Sequence, residues 1–399
     1  MLRGRSVIAI LLAAAAFYTV ARASNSQAGR QADKQLLDTY YQQYNTRVEQ
    51  QIYKKTPQGE LAIYIHFSKD WTAEDSPALR LAGKRPAIVF FFGGGWTGGT
   101  VEQFARQADY LASRGMVAAR ADYRVRSRHQ TTPEVCVEDA KSAVRWLRKN
   151  AAKFGIDPNR IAASGGSAGG HIAACTFTVA GLDAGGEDTN VSAKPNLLVL
   201  YNPVLNCGQE QIALRMGSMD MAKRLSPNLH LSKNMPPTIL FYGTEDRFYS
   251  QGEEFLQLSK WHEPSLPGEL GNTVELYAAQ GQPHGFFNRS PWHQQTTFLV
   301  DKFLARHGYL AGEPTLKLGE KDIALKRIAA EQKQGEKPNP RDSGPTLKVG
   351  QLAPDFKLPP LKIQTGADGQ SVGIIGSELV GLSSFRGKKP VCLIFSSYT

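Results

Sequence analysis

Cysteine is scarce in this chain: four in 399 residues, at 136, 175, 207 and 392. They lie too far apart for a CxxC pair or a zinc-ligand spacing and are too few for a disulfide scaffold, so no metal or disulfide framework is expected. Acidic residues are outnumbered, 36 Asp+Glu against 47 Lys+Arg, for a formal net charge of +11. The excess is dispersed, and no run combines basic residues with stacking aromatics, so nucleic acid is not an expected partner. Beyond the first two dozen residues no stretch is long and apolar enough to span a bilayer. What remains, 41% hydrophobic and 21% charged, is the composition of a globular chain with room for one large domain and a smaller one.

The chain opens with Arg3 and Arg5, runs through an apolar stretch from Val7 to Val20 and reaches small residues at Ala21-Arg22-Ala23. A basic start, a short apolar core and a small-residue cleavage site are the pattern of a secretory signal peptide over residues 1–23. The expectation is an exported protein, periplasmic or secreted, with no stable membrane insertion after cleavage.

After a polar lead-in near Gln31 to Gln51, expected to be helical, short β-rich apolar runs alternate with longer amphipathic stretches. That alternation predicts βαβ units around a mostly parallel sheet, a three-layer α/β/α sandwich. The strands are expected at Ala87–Phe92, Met116–Ala121, Ile161–Ala163, Leu197–Tyr201, Thr238–Tyr242 and Val274–Ala279. Helical spacing marks Val101–Arg114, Val135–Phe154, Ala168–Val179, Glu253–His262 and Trp292–His307. The main domain is read as 24–312, a Lys/Glu/Gly/Pro-rich linker as 313–346, and a second patterned region as 347–399. No internal repeat is present.

Gly165-Gly166-Ser167-Ala168-Gly169 directly follows an expected strand and opens an expected helix. A nucleophile on a sharp strand-to-helix turn needs small neighbours so that backbone can pass closely, and the helix start offers the Ala168 N–H to a developing oxyanion. Upstream, Phe92-Gly93-Gly94-Gly95-Trp96 ends a strand with three glycines, a loop able to present N–H groups. Downstream, Gly243-Thr244-Glu245-Asp246 and Gln282-Pro283-His284-Gly285 each follow a strand, at the edge where open α/β sheets bind ligands. A serine hydroxyl needs a base, which His284 would supply, and an acid to hold the imidazolium. Asp246 fits that position, with its neighbour Glu245 as competitor.

Taken together and in this order, these motifs resemble the α/β-hydrolase superfamily, and within it the hormone-sensitive-lipase-like and bacterial feruloyl and acetyl-xylan esterase group. The likeness runs from about Gln51 to Gly308 and includes Ala121-Asp122-Tyr123-Arg124, Glu138-Asp139-Ala140, Val144-Arg145-Trp146-Leu147 and Asp157-Pro158-Asn159-Arg160-Ile161. It implies carboxylic ester hydrolysis through a serine acyl-enzyme, with Ser167, Asp246 and His284 as triad and Gly94, Gly95 and Ala168 as oxyanion donors. No cofactor or metal is implied, and the expected partner is a small-molecule or polysaccharide-linked ester carrying acetyl or feruloyl groups. A serine peptidase or amidase on the same triad, and a weakly catalytic module fused to a redox domain, are the alternatives. Many relatives carry a histidine where this chain has Phe92, so the glycine loop must be braced differently. Asp122, Arg124, Trp146 and His171 also match the group and read as packing and hydrogen-bonding residues. The segment Gln209 to Pro236, with Met216, Met219, Met221 and Met235, lies where the superfamily often inserts a cap. Flexible methionines suit an adaptable pocket there, and equally the core of a short helix.

The final region, through Val349–Pro359, Leu382–Val391 and Leu393–Thr399, resembles the start of a thioredoxin-like domain of the peroxiredoxin and iodothyronine-deiodinase kind. In that family the reactive cysteine or selenocysteine comes right after the position of Thr399. The expectations are an in-frame UGA codon, meant for selenocysteine, read as a stop, or else a degenerate fragment left by gene fusion or a real terminus.

Overall fold

The computed structural model describes residues 31–329, apart from 32, 33, 36, 40, 45, 70–83 and 262–272, together with the backbone of short strands between 357 and 381. The chain divides into two compact units, 1–330 and 331–399. The expected signal peptide, residues 1–23, lies outside the described residues.

The first unit is built on a nine-stranded sheet of order β1-β2-β4-β3-β5-β6-β7-β8-β9. Its strands are β1 Arg47–Thr56, β2 Gly59–Phe67, β3 Arg85–Phe91, β4 Val117–Ala121, β5 Ile156–Gly166, β6 Leu197–Tyr201, β7 Thr238–Gly243, β8 Val274–Ala279 and β9 Lys326–Ile328. From β4 to β8 neighbouring strands run parallel. The helices are α1 Ala105–Ser113, α2 Pro133–Lys149, α3 Ala168–Thr178, α4 Glu210–Met216, α5 Met219–Arg224, α6 Tyr249–Trp261 and α7 Trp292–Arg306.

Side chains alternate across a strand, so a strand buried on both faces feeds two cores. In β3, Ala87, Val89 and Phe91 join one core with α2, α3 and α6 residues such as Val144, Ile172 and Phe255. Ile88 and Phe90 join the other, with Leu111 of α1 and Phe303 of α7. The three-layer sandwich expected from the alternation is the observed architecture.

Three strands depart from expectation. The lead-in is helical only in its first part, and from Arg47 it becomes β1, paired antiparallel with β2, which pairs antiparallel with β4. At the other edge, β9 pairs antiparallel with β8 although it falls inside the stretch read as linker, and Leu316 and Leu325 nearby are buried. Residues 313–328 are thus part of the first unit. Edge strands need only one paired side and tolerate charge, so Lys54, Lys55, Lys326 and Arg327 hid β1 and β9 from an apolar pattern, whereas β2 is interior and buries Leu61, Ile63, Ile65 and Phe67.

In the second unit the backbone shows two antiparallel pairings, Leu361–Thr365 with Ser371–Ile375 and Lys357–Leu358 with Val380–Gly381. Apart from Lys357 and Leu358, the segments that carry the thioredoxin-like resemblance lie outside the described residues.

Candidate active site

Every candidate residue sits just past the carboxyl end of a parallel strand. β5 leads into Ser167, β6 into Asn202, β7 into Asp246, β8 into His284, and β3 into the loop from Phe92 to Trp96. The topology therefore brings distant stretches of sequence to one edge of the sheet.

Ser167 has φ 54 and ψ −119, a backbone conformation that a side chain adopts only at a cost of about 1–3 kcal/mol. It is held there on both sides, its N–H donating to Tyr201 O at 2.9 Å and its carbonyl accepting from His171 N at 2.9 Å. The helix that follows lies against β3 so closely that a Cβ at Gly169 would stand 2.1 Å from Phe91 O. Glycine at 169 is what lets the helix that follows Ser167 and the end of β3 share this space.

Three side chains form a continuous hydrogen-bonded line. His284 Nε2 is 2.8 Å from Ser167 Oγ, and His284 Nδ1 is 2.7 Å from Asp246 Oδ2. The other carboxylate oxygen, Oδ1, accepts from Phe248 N at 2.9 Å. A carboxylate on Nδ1 fixes the imidazole proton there and leaves the Nε2 lone pair facing the serine hydroxyl. Glu245, the competitor, is exposed, whereas Asp246 is buried and is the carboxylate that reaches the ring. Phe248 packs edge-on against His284, 5.5 Å between ring centroids.

Across from Ser167, the glycine loop is braced without a histidine at position 92. Phe92 is buried and stacks on Tyr123 at 4.2 Å, and the Tyr123 hydroxyl donates to Phe92 O at 2.7 Å. Gln103 Oε1 accepts from Gly93 N at 2.6 Å, while its amide nitrogen donates to Asn288 Oδ1 at 3.1 Å. Gly94 turns at φ +133, and a Cβ there would meet Gly98 O at 2.2 Å. With the Gly93 N–H occupied, the N–H groups of Gly94, Gly95 and Ala168 have no protein acceptor among the described residues. All three belong to the turns that flank Ser167.

His171, read as a packing residue, reaches this loop. Trp96 Nε1 donates to His171 Nδ1 at 3.1 Å, and His171 Nε2 stands 2.7 Å from Leu225 O, at the end of α5. That pairing makes the ring the Nε2–H tautomer. Burial pushes its pKa down to about 4, against a smaller opposite effect of the Leu225 carbonyl, so the imidazole is neutral. Arg124 and Asp139 form a bidentate pair at 2.9 and 2.8 Å, joined by Lys54 at 2.6 Å. Asp122 binds Arg128, and Trp146 packs on Phe154; these keep the structural roles expected of them.

A cavity of about 330 Å³ opens over Ser167 and His284 and includes Gly94, Gly95 and Ile212 of α4 in its wall. None of the four methionines of 209–236 lines it. Met216 and Met235 are buried in the core instead, so the segment supplies the cavity wall with Ile212 and Arg215, not with thioethers.

Asn202 carries no motif and was not foreseen. Its Nδ2 is 3.3 Å from His284 Nε2, and its Oδ1 accepts from Gly285 N at 3.2 Å, holding the base loop in place. Its position directly after an apolar strand is the one signal available, and Gln103 had none. Among the described residues no group of three His, Cys, Asp or Glu is arranged to hold a metal ion.

The BD-FAE family model matches residues 78–196. A probable isoprenylcysteine α-carbonyl methylesterase of Arabidopsis thaliana is 30% identical over 52% of this chain, and the match spans 46% of that protein's own length. A probable carboxylic ester hydrolase of Mycobacterium tuberculosis is 27% identical over 75% of this chain and 79% of its own. The apo form of esterase 2 from Thermogutta terrifontis superposes with a TM-score of 0.60 at 42% identity, covering 67% of this chain and 97% of that one. Other structures of that esterase are phosphorylated by paraoxon, or have propionate or butyrate bound. The chain belongs to the carboxylesterase-type family of α/β hydrolases.

Proposed function

We propose that this protein hydrolyses short-chain carboxylic esters through a serine acyl-enzyme, and that it does so after export. The observation that carries the reading is the line Ser167 Oγ to His284 Nε2 to Asp246, at 2.8 and 2.7 Å, facing a cavity edged by unpartnered N–H groups. His284 Nε2 takes the serine proton as Oγ bonds to the ester carbonyl carbon, and the resulting oxyanion is held by the N–H groups of Gly94, Gly95 and Ala168. Collapse breaks the bond to the alcohol oxygen, which leaves with the proton from His284. Water then repeats the sequence on the acyl-enzyme, and the acid departs. Asp246 keeps the ring in the productive tautomer throughout.

The cavity of about 330 Å³ sits at the small end of the ordinary range for ligand sites, about 300–1,000 Å³. That size suits small acyl groups, acetyl before feruloyl, and the propionate and butyrate bound to the Thermogutta esterase point the same way. A glycan-linked alcohol would stay outside. Export rests on the residue pattern of 1–23, and a thioredoxin-like nature of 347–399 rests on sequence pattern alone.

The test is Ser167→Ala in the full chain, assayed with p-nitrophenyl acetate and an aminoacyl p-nitroanilide. Loss of ester hydrolysis by about 10⁴-fold or more is expected. Unchanged ester turnover would overturn the assignment, and faster turnover of the anilide than the ester would move it to the amidases.

A further inference from the structure

Many arginines of the described residues pair with a carboxylate, although Arg85, Arg126, Arg148 and Arg224 do not. Arg114 pairs with Asp301, Arg120 with Glu102, Arg124 with Asp139 and Arg145 with Asp183. Two arginines in the wall of the catalytic cavity are different. Arg215, from α4, has one polar contact among the described residues, a long 3.4 Å approach of Nη1 to Gly95 O, which sets it beside the glycine loop. Arg247 follows Asp246 directly and lays its guanidinium 4.6 Å from the centre of the Phe248 ring, the ring that packs on His284. Neither has a carboxylate within ion-pair distance, both are exposed, and no Asp or Glu side chain lines the cavity among the described residues.

We propose that Arg215 and Arg247 read a negative charge on the substrate, so that the preferred ester carries a carboxylate or sulfate close to the bond that is cleaved. The inference rests on the ester-hydrolase reading of the site. One arginine reaches the cavity from the cap above the oxyanion loop and the other from the turn that bears the triad acid. An anion entering the cavity therefore meets positive charge from two separate elements, with no carboxylate in the described cavity wall and the Asp246 carboxylate buried and bonded to His284. A guanidinium with free donors forms charge-assisted, often bidentate hydrogen bonds to such groups, and does so more strongly in a partly dehydrated cleft than in open water. The stacking of Arg247 on Phe248 holds its planar fork in place beforehand, which lowers the ordering cost of binding.

The experiment measures kcat/KM for matched pairs of esters that differ only in charge. 4-Acetoxybenzoate against 4-acetoxybenzamide places the carboxylate on the alcohol, and p-nitrophenyl hemisuccinate against p-nitrophenyl succinamate places it on the acyl group. 4-Acetoxyphenyl sulfate against 4-acetoxyphenyl methanesulfonate replaces carboxylate by sulfate. The ratio within a pair is compared between the wild type and Arg215→Gln, Arg247→Gln and the double variant, which cancels intrinsic reactivity. A fall of about tenfold in the anionic-to-neutral ratio is expected in at least one pair. It should be carried by KM, be partly restored by Arg247→Lys, and shrink in molar salt. The pair that responds identifies the side of the ester and the anion. Ratios that stay within about twofold of wild type in every pair, in variants whose melting temperatures are unchanged, overturn the proposal. Ser167→Ala keeps the two readings apart: if it abolishes hydrolysis while the ratios are flat, the anion reading alone fails. If hydrolysis survives Ser167→Ala, the ester reading fails first.

Discussion

The two flanks of Ser167 are built on opposite principles. On the base side, a buried carboxylate fixes a partly exposed imidazole through a short hydrogen bond. On the oxyanion side, the loop from Phe92 to Trp96 is held by neutral groups: the Gln103 amide, the Tyr123 hydroxyl and the uncharged His171 ring. The difference follows from what each flank has to do. A base must gain and lose a proton, so it needs a partner whose charge matches the protonated form. A set of N–H donors must stay fixed and undistracted, and a nearby carboxylate would compete with the oxyanion for them.

This contrast can be broken most sharply at the acid. Asp246→Asn should lower kcat by about 10⁴-fold by favouring the wrong tautomer, while Glu245→Gln, one residue away, should leave kcat within about twofold. Equal losses in the two variants would dissolve the distinction.

The neutral flank should show itself through acid stability. His171 has a pKa pushed down to about 4 from 6.5, so the unfolded chain binds a proton more readily than the folded one in that window. Stability from the neutral ring is fully present above pH 6.5 and drains as pH falls towards 4, by on the order of 3 kcal/mol. Unfolding midpoints in urea measured across that range should flatten in His171→Gln. His293, held neutral by burial in the other core, provides the parallel case away from the site.

Gln103→Ala removes the acceptor that occupies Gly93 N and the link to Asn288, and a misplaced loop should cost kcat up to about 10²-fold with little change in KM. A KM effect instead would mean that Gln103 touches substrate. The smallest effect is expected at Phe92. Phe92→His puts a polar ring into an apolar stack on Tyr123 and should lower stability by about 1–3 kcal/mol, read as a lower Tm, without raising activity. A gain in kcat would show that the neutral bracing is second best.

The same contrast explains what could be read from the amino acids alone. The base side follows short motifs at strand ends, and Ser167, Asp246 and His284 stood out because small or turn-forming residues surround them. The acid was ambiguous by one position because Glu245 and Asp246 share the turn, and only the burial of one separates them. Gln103 and Asn202 act through partners 10 and 82 residues away, contacts that have no local signature. The apolar strands of the sheet interior were legible because both faces are buried. β1 and β9 were not, since pairing along an edge asks little of the side chains; β2, paired on both sides, carries the buried alternation Leu61, Ile63, Ile65 and Phe67, a strand signal that went unread.

The turn at Ser167 sets two selective pressures against each other. A side chain at φ 54 sits on the unfavourable side of the backbone map, where glycine alone is at ease. Drift towards greater stability would favour replacing this serine, and under the proposed mechanism loss of the hydroxyl would end the chemistry. Under a screen that rewards survival at high temperature and ignores turnover, position 167 should be among the early losses. Its retention in a culture or a lineage is thus a record that hydrolysis was being demanded.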